Sequence, residues 1–368
     1  MAFRRSRSRC GMNNEKELAL MRRAIALSAG TMPHPNPRVG AIVVSEDGKI
    51  VAEAAHHEAG GPHAEAAALL QAGEAALGST LVVTLEPCAH FGRTPPCTDA
   101  IVNAGVSRVV VGTLDPDRRV AGNGVAALRS AGIVVVEGVG ADAVHANDPS
   151  YFHHRSTGRP LVTLKMAMTL DGQAAAADQT ARWITGPEAR LDGHRLRASS
   201  DVVLVGCGTV IADDPRLDVR LDGYAGRQPR PAIVAGRRAV PPDAKLLERN
   251  PIVFVPDDDA PVPPGIERVV LPGATGVDLG AALAYLGDHD ALDVMIEGGP
   301  TLAGASLRAG IVDRVVLYYG AKLAGGVGKP GFDGVFATIG EAFVVDIEKV
   351  DVLDGDVRVE GIVRPVGR

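Results

Sequence analysis

Aromatic residues make up only 4% of the chain, and there is a single tryptophan. Enzymes that hold flipped or single-stranded bases stack them on aromatic faces, so this scarcity argues against a nucleic-acid deaminase or binder. Basic charge is not in excess either: 38 Lys and Arg stand against 44 Asp and Glu, a formal net charge of -6. A protein that follows a phosphate backbone needs a basic face, which this balance does not supply. Cysteine is limited to Cys10, Cys88, Cys97 and Cys207. With no secretory signal, four in a chain of this length do not form a disulfide framework, and a reducing, cytoplasmic setting is expected. No apolar run approaches the roughly 20 residues of a membrane helix, so no membrane partner is expected.

The opening "MAFRRSRSRCG" is rich in Arg and Ser and lacks acids. It faintly resembles a transit peptide, but it is short, and Met1 and Met12 are both open as the start. Residues 1–12 are left out of the fold argument.

What is present is ample apolar sequence, 46% of 368 residues, too much for one ordinary core. Two domains are expected, the first over residues 13–148 and the second over 149–368. In the first, helix and strand patterns alternate in an α/β manner. The helix "NEKELALMRRAIALSAG" opens with Asn14 and Glu17 at capping-box spacing, and Leu18, Met21 and Ile25 share a face. "AIVVSEDGKIVAEA" reads as a hairpin turning at Asp47-Gly48, and "STLVVTLE", "RVVVGTLDP" and "GIVVVEGV" as buried strands. Apolar periodicity lapses over "ANDPSYFHHRSTGRP", which marks the boundary. A second α/β pattern follows, from "LVTLKMAM" through "DRVVLYYG", with antiparallel strands near Asp354-Gly355 in the tail.

The chemistry begins at "PHAEAAALL", where His63 and Glu65 open an otherwise apolar helix. A lone His-x-Glu pair means little. Some twenty residues later "TLEPCAHFGRTPPC" brings Cys88 and Cys97 out of a strand. One imidazole and two thiolates form the three-ligand set that a catalytic zinc needs, with its fourth position left for water. The order His-x-Glu, Pro-Cys, Cys is that of zinc deaminases, in which the glutamate moves protons and is not a ligand. Eight residues lie between the cysteines where the general signature has two. Both helix starts favour negative charge, at His63 and at the Cys97 thiolate. The expected reaction is hydrolytic deamination of an aminated heterocycle, with Zn2+ on His63, Cys88 and Cys97 and Glu65 as proton shuttle. The plain alternative is a structural zinc, for which His90, His56 and His57 are the nearby fourth ligands.

The long cysteine spacing, together with "HPNPRVGAIVV", "GPHAE", "GRTPPCTDAI" and "VVGTLDPDRRVAGNG", resembles the deaminase half of the bifunctional riboflavin-biosynthesis deaminase-reductases, the RibD family. The resemblance implies a cytidine-deaminase-like three-layer domain followed by a dihydrofolate-reductase-like domain. It implies deamination of a diamino-pyrimidinone ribosylamine phosphate, then reduction of the ribosyl side chain of the aminouracil product to ribityl by NADPH. Asn36 offers the paired donor and acceptor that suit a pyrimidine edge, although "PHPNP" alone also reads as a turn. Arg93 and His56 are candidates for the substrate's phosphate or ribose.

In the second half no metal cluster appears. "EGGPTLAG" follows a strand and opens a helix, so its free N–H groups suit a phosphate, but it is not the G-x-G-x-x-G fingerprint, which disfavours a Rossmann domain. The resemblance places Lys165 as a catalytic cation beside Glu297, and Ala181, Arg197, Leu217 and Arg220 with them at the substrate. It places Ala167, Trp183, Thr209, Asp213 and the run Gly299, Pro300, Thr301, Leu302, Ala303, Gly304 and Ala305 at the nucleotide. Read alone, Trp183 is equally a core residue, Asp213 part of a turn and Arg197 a solvated helix face. Ala181 and Ala235-Gly236 stand where the family usually has hydroxyl or acidic side chains, with Arg237 and Arg238 adjacent. A monofunctional deaminase with a degenerate reductase domain is therefore the alternative. The partner expected is a small molecule; the oligomeric state, a homo-oligomer included, stays open.

Overall fold

The computed structural model describes residues 14–92, 95–117, 120–274, 276–334 and 336–364. The chain divides into two compact units, one ending at Ser156 and the other starting at Thr157.

In the first unit the elements are α1 (Asn14–Ser28), β1 (Gly40–Val44), β2 (Ile50–Ala55), α2 (Ala64–Ala72), β3 (Thr80–Leu85), α3 (Cys97–Asn103), β4 (Arg108–Thr113), α4 (Asn123–Ser130), β5 (Val134–Val136), α5 (Ala141–Asn147) and α6 (Pro149–Thr157). The sheet order is β2-β1-β3-β4-β5. The hairpin turns at Asp47-Gly48 as its sequence predicts, and β1 is antiparallel to both β2 and β3, while β3, β4 and β5 run parallel. Parallel strands are covered on both faces, which is why β3 and β4 read as unbroken apolar runs. Helix α1 lies so close to β1 that a Cβ on Gly40 would meet the Ala24 carbonyl oxygen at 1.9 Å, so only glycine fits there.

Glu17, in the first turn of α1, is buried and paired at 2.6 Å with Arg108 of β4, on the face that buries Leu20, Met21 and Ala24. One sequence expectation changes. The stretch after Asn147, read as a lapse, is the helix α6. It is held by polar contacts: Asp148 accepts the Arg38 N–H at 2.8 Å, and the Tyr151 hydroxyl donates to both Asp115 oxygens at 3.0 Å. Contacts of that kind leave no apolar period to read.

The second unit contains β6 (Leu161–Thr169), β7 (Gln173–Ala175), α7 (Pro187–Ser199), β8 (Val202–Gly206), α8 (Cys207–Asp213), β9 (Arg230–Val234), β10 (Ile252–Val255) and β11 (Glu267–Val270). It continues with β12 (Pro272–Gly273), β13 (Gly276–Val277), α9 (Leu279–Asp288), β14 (Asp293–Ile296), α10 (Pro300–Arg308), β15 (Arg314–Gly320), β16 (Lys329–Pro330), β17 (Val344–Leu353) and β18 (Asp356–Arg364). Nine strands form one sheet in the order β11-β10-β9-β8-β14-β6-β15-β18-β17. Pairing is parallel from β11 to β15 and antiparallel beyond it. Alternation along β8 sends Val202 and Leu204 into one apolar cluster and Val203 and Val205 into another, so both faces of the sheet are buried. Among the described residues no helix is long and apolar enough to cross a membrane.

Candidate functional site

In the first unit, the ends of β3 and the starts of α2 and α3 meet. His63 is the N-cap of α2, in extended conformation, and Cys97 is the first residue of α3. Cys88 follows β3 on a loop. His63 Nδ1 lies 3.1 Å from Cys97 Sγ and 3.7 Å from Cys88 Sγ, and the Cys97 N–H donates to Cys88 Sγ at 3.4 Å. The ligand atoms of all three lie within 4.8 Å of one another, and among the described residues no fourth His, Cys, Asp or Glu joins the group. His57 and His90 are exposed. His56 has its ring nitrogens engaged elsewhere, Nδ1 with the Pro62 carbonyl at 2.9 Å and Nε2 with Asn36 at 3.0 Å. Among the described residues the structural-zinc alternative therefore has no fourth ligand.

Electrostatics fit a cation held by sulfur. The Cys88 thiol is pushed down to about 4, first by a hydrogen bond from Cys97 and then by His63. The Cys97 thiol is pushed up by that same bond and by burial, so the two sulfurs share one proton and one negative charge. A bound divalent ion would take the place of that shared proton, and one imidazole with two sulfurs is a donor set that suits zinc. Glu65 sits in the first turn of α2, buried, with its carboxyl pushed up chiefly by desolvation and opposed by His63. A buried carboxyl raised in this way, beside the three ligands, is placed for proton transfer. His56 is buried and its imidazole is pushed down by that burial, which favours the neutral ring. Since a carbonyl only accepts, Nδ1 carries the proton toward Pro62 and Nε2 accepts from the Asn36 amide. Arg93 lies outside the described residues.

Sequence reasoning missed the polar scaffold behind Asn36. His34 is buried 3.5 Å from Asp148, and Arg38 donates to the carbonyls of Thr31 and Asn147 at 3.0 Å each. Asp115, pushed up to about 6 by burial, and Tyr151 complete it. The signal was only a scatter of charged residues flanking "HPNPR".

In the second unit the structure gathers Lys165, Arg197 and Glu297. Lys165 is on β6, Arg197 in the last turn of α7, and Glu297 directly follows β14. Glu297 Oε1 accepts from Lys165 Nζ at 3.1 Å and from Arg197 Nη2 at 2.8 Å, while Oε2 accepts from Arg197 Nε at 2.8 Å. Burial pushes the Glu297 carboxyl up, but the two cations outweigh it and hold it well below the usual range. Arg197 also donates to the Asp218 carbonyl at 3.0 Å, so it is no solvated helix face.

The remaining predicted residues are spread around this cluster's unit. Leu217 is buried with φ 55°, and Arg220 is exposed and paired with Asp218. Thr209 Oγ1 accepts the Gly299 N–H at 3.1 Å, joining α8 to the start of α10. Trp183 is 61% exposed, so it is not core; the Arg190 guanidinium lies 4.6 Å and that of Arg182 5.8 Å from its ring. Arg182 also donates to the Asp213 carbonyl at 2.7 Å. Ala181 is exposed and Ala167 half-buried. Within Gly299–Ala305, Leu302 and Ala303 belong to the apolar core, Gly304 abuts the Asp333 backbone and Ala305 is half-buried a turn further on, while Gly299, Pro300 and Thr301 form the accessible start of the helix.

Fold and site define the class: a zinc deaminase of the cytidine-deaminase type and a dihydrofolate-reductase-like reductase in one chain. Residues 14–113 match the cytidine and deoxycytidylate deaminase zinc-binding region, and residues 160–353 match the RibD C-terminal domain. The riboflavin biosynthesis protein RibD of Aquifex aeolicus is 42% identical over 330 residues, 88% of this chain and 91% of that protein. RibD of Escherichia coli is 40% identical over 307 residues, 79% and 83% of the two chains. Acinetobacter baumannii RibD superposes with a TM-score of 0.87 at 36% identity, covering 95% of this chain and 99% of the other. The Thermotoga maritima enzyme, a diaminohydroxyphosphoribosylaminopyrimidine deaminase/5-amino-6-(5-phosphoribosylamino)uracil reductase, gives 0.86 at 36% identity over 96% and 99%. The chain belongs to the RibD family of bifunctional riboflavin-biosynthesis enzymes, and both of the family's domains are present.

Proposed function

We propose that the unit ending at Ser156 deaminates the diaminohydroxyphosphoribosylaminopyrimidine named for the Thermotoga relative, and that the unit from Thr157 reduces the resulting 5-amino-6-(5-phosphoribosylamino)uracil with NADPH. The reading is carried by the convergence of His63, Cys88 and Cys97 beside Glu65 on the same helix start. Those three side chains would hold Zn2+, which when bound acidifies its water ligand. Glu65 takes a proton at its carboxylate and returns it to the departing amine. Its burial keeps bulk water from competing for that proton. Asn36 binds the pyrimidine edge through its Oδ1, because His56 holds its amide nitrogen.

In the second unit Lys165 and Glu297 flank the open-chain sugar, and Arg197 and Arg220 are suited to the substrate phosphate. Thr209, Asp213, Trp183 and the start of α10 would hold NADPH: the Gly299-Pro300 turn opens a helix N-terminus to phosphate, and the exposed Trp183 ring offers a stacking face. NADPH supplies the hydride. The assembled Lys165–Glu297–Arg197 cluster favours a working reductase over a degenerate one. We place the enzyme in the cytoplasm, where its thiols stay reduced.

The test is a coupled assay on the diamino substrate with Zn2+ quantitation. Ammonia release without NADPH, followed by loss of nicotinamide absorbance on its addition, is expected. Full deamination after exhaustive chelation overturns the first half of the reading, and silence toward NADPH the second.

A further inference from the structure

Of the three metal-ligating side chains, Cys88 alone sits on a loop, and a loop fixes a sulfur only if its backbone is tied down. The tie is visible two residues earlier. Glu86 is 4% exposed, and its carboxylate accepts three backbone N–H groups: Oε2 from Gly122 at 2.9 Å and Asp115 at 3.3 Å, and Oε1 from Val125 at 3.1 Å. Gly122 is the N-cap of α4 and has no side chain to cap it. Glu86 does so from the end of β3, where a negative charge also meets the positive end of the helix. Pro87 presses on the same helix, since a Cβ on Gly124 would meet its carbonyl oxygen at 1.9 Å.

On its other side Cys88 is tied to α3. Its carbonyl accepts the Thr98 N–H at 3.2 Å, and its sulfur the Cys97 N–H at 3.4 Å. The loop is thus clamped between α4, through Glu86 and Pro87, and α3, through Cys97 and Thr98. Release of the first clamp leaves Cys88 held from one side only. We propose that Glu86 is a positioning residue for the metal centre, keeping the Cys88 sulfur at the spacing from His63 and Cys97 that a bound divalent ion requires. The proposal rests on the zinc reading above.

Glu86→Gln keeps the size of the side chain but turns one acceptor oxygen into an amide that faces N–H donors. Outer residues that orient ligands change metal affinity by ~10–100-fold, and a loss in that range is expected for full-length Glu86→Gln against a chromophoric chelator. The Co2+-loaded variant should show an altered sulfur-to-metal charge-transfer band, and the rise in melting temperature on adding Zn2+ should shrink. NADPH oxidation by the other unit should stay at the wild-type rate. Wild-type protein that takes up no Zn2+ would undo the zinc reading itself. Wild-type affinity and spectrum in Glu86→Gln, even with a lower metal-free melting temperature, would overturn the Glu86 assignment alone. If Glu86→Gln does not fold, Glu86→Asp is read instead: it keeps the charge but shortens the reach to the N–H groups of Gly122 and Val125, and unchanged metal affinity there is equally fatal.

Discussion

Asn36 donates its amide N–H to Nε2 of His56 at 3.0 Å, 20 residues along the chain, and His56 in turn donates to the carbonyl of Pro62, next to the ligand His63. One hydrogen-bond chain therefore orients the proposed pyrimidine-reading amide and borders the metal centre. His56→Ala frees the Asn36 amide to rotate. The expected result is a rise in the KM of deamination larger than the fall in kcat, with Zn2+ content unchanged. Steady-state kinetics with metal analysis checks this, and an unchanged KM would remove His56 from the substrate argument.

Glu65→Gln keeps the volume of a buried side chain and removes its proton chemistry. Ammonia release should fall about 10²–10⁴-fold, the usual worth of a positioned acid-base group, while one Zn2+ per chain is retained. Stripping the metal with a chelator should stop deamination and leave NADPH oxidation intact.

Glu297→Gln leaves Lys165 and Arg197 facing each other without their shared counter-charge. Removing one member of a mostly buried ion cluster costs on the order of 3 kcal/mol, so the unfolding free energy of the second unit should fall by about that amount and its urea midpoint should drop. Reduction should weaken and deamination should not. Equal urea midpoints for the two proteins would contradict the cluster's role.

Asp115 gives a pH dependence with a definite sign. Burial raises its carboxyl from 3.8 to about 6 in the folded protein, so between those values the folded state binds more protons than the unfolded. The contribution is full below about pH 4 and lost as pH rises through about 6, up to about 3 kcal/mol. Asp115→Asn lacks the titration, so its melting temperature should rise relative to wild type as pH goes from 4 to 7. A pH-independent difference would show that Asp115 titrates normally.

The candidate metal set and the glutamate beside it were legible in the sequence because their signal is local: two helix starts and a strand end, each marked by its own residues, carry His63, Cys88 and Cys97, with Glu65 next to them. The parallel strands were legible for a similar reason, since burial on both faces forces apolar runs. Sequence periodicity alone did not bring Lys165 to Glu297, 132 residues away, or single out Arg197 from any other helical arginine. Glu86 lies in the same "TLEPC" motif as Cys88, yet nothing local says that its carboxylate caps a helix 36 residues on. Helix α6 shows the same limit. Apolar side chains repeat with the period of the element that buries them and so announce it, whereas a polar clamp is a single contact between distant segments, and only the folded chain decides which donor meets which acceptor.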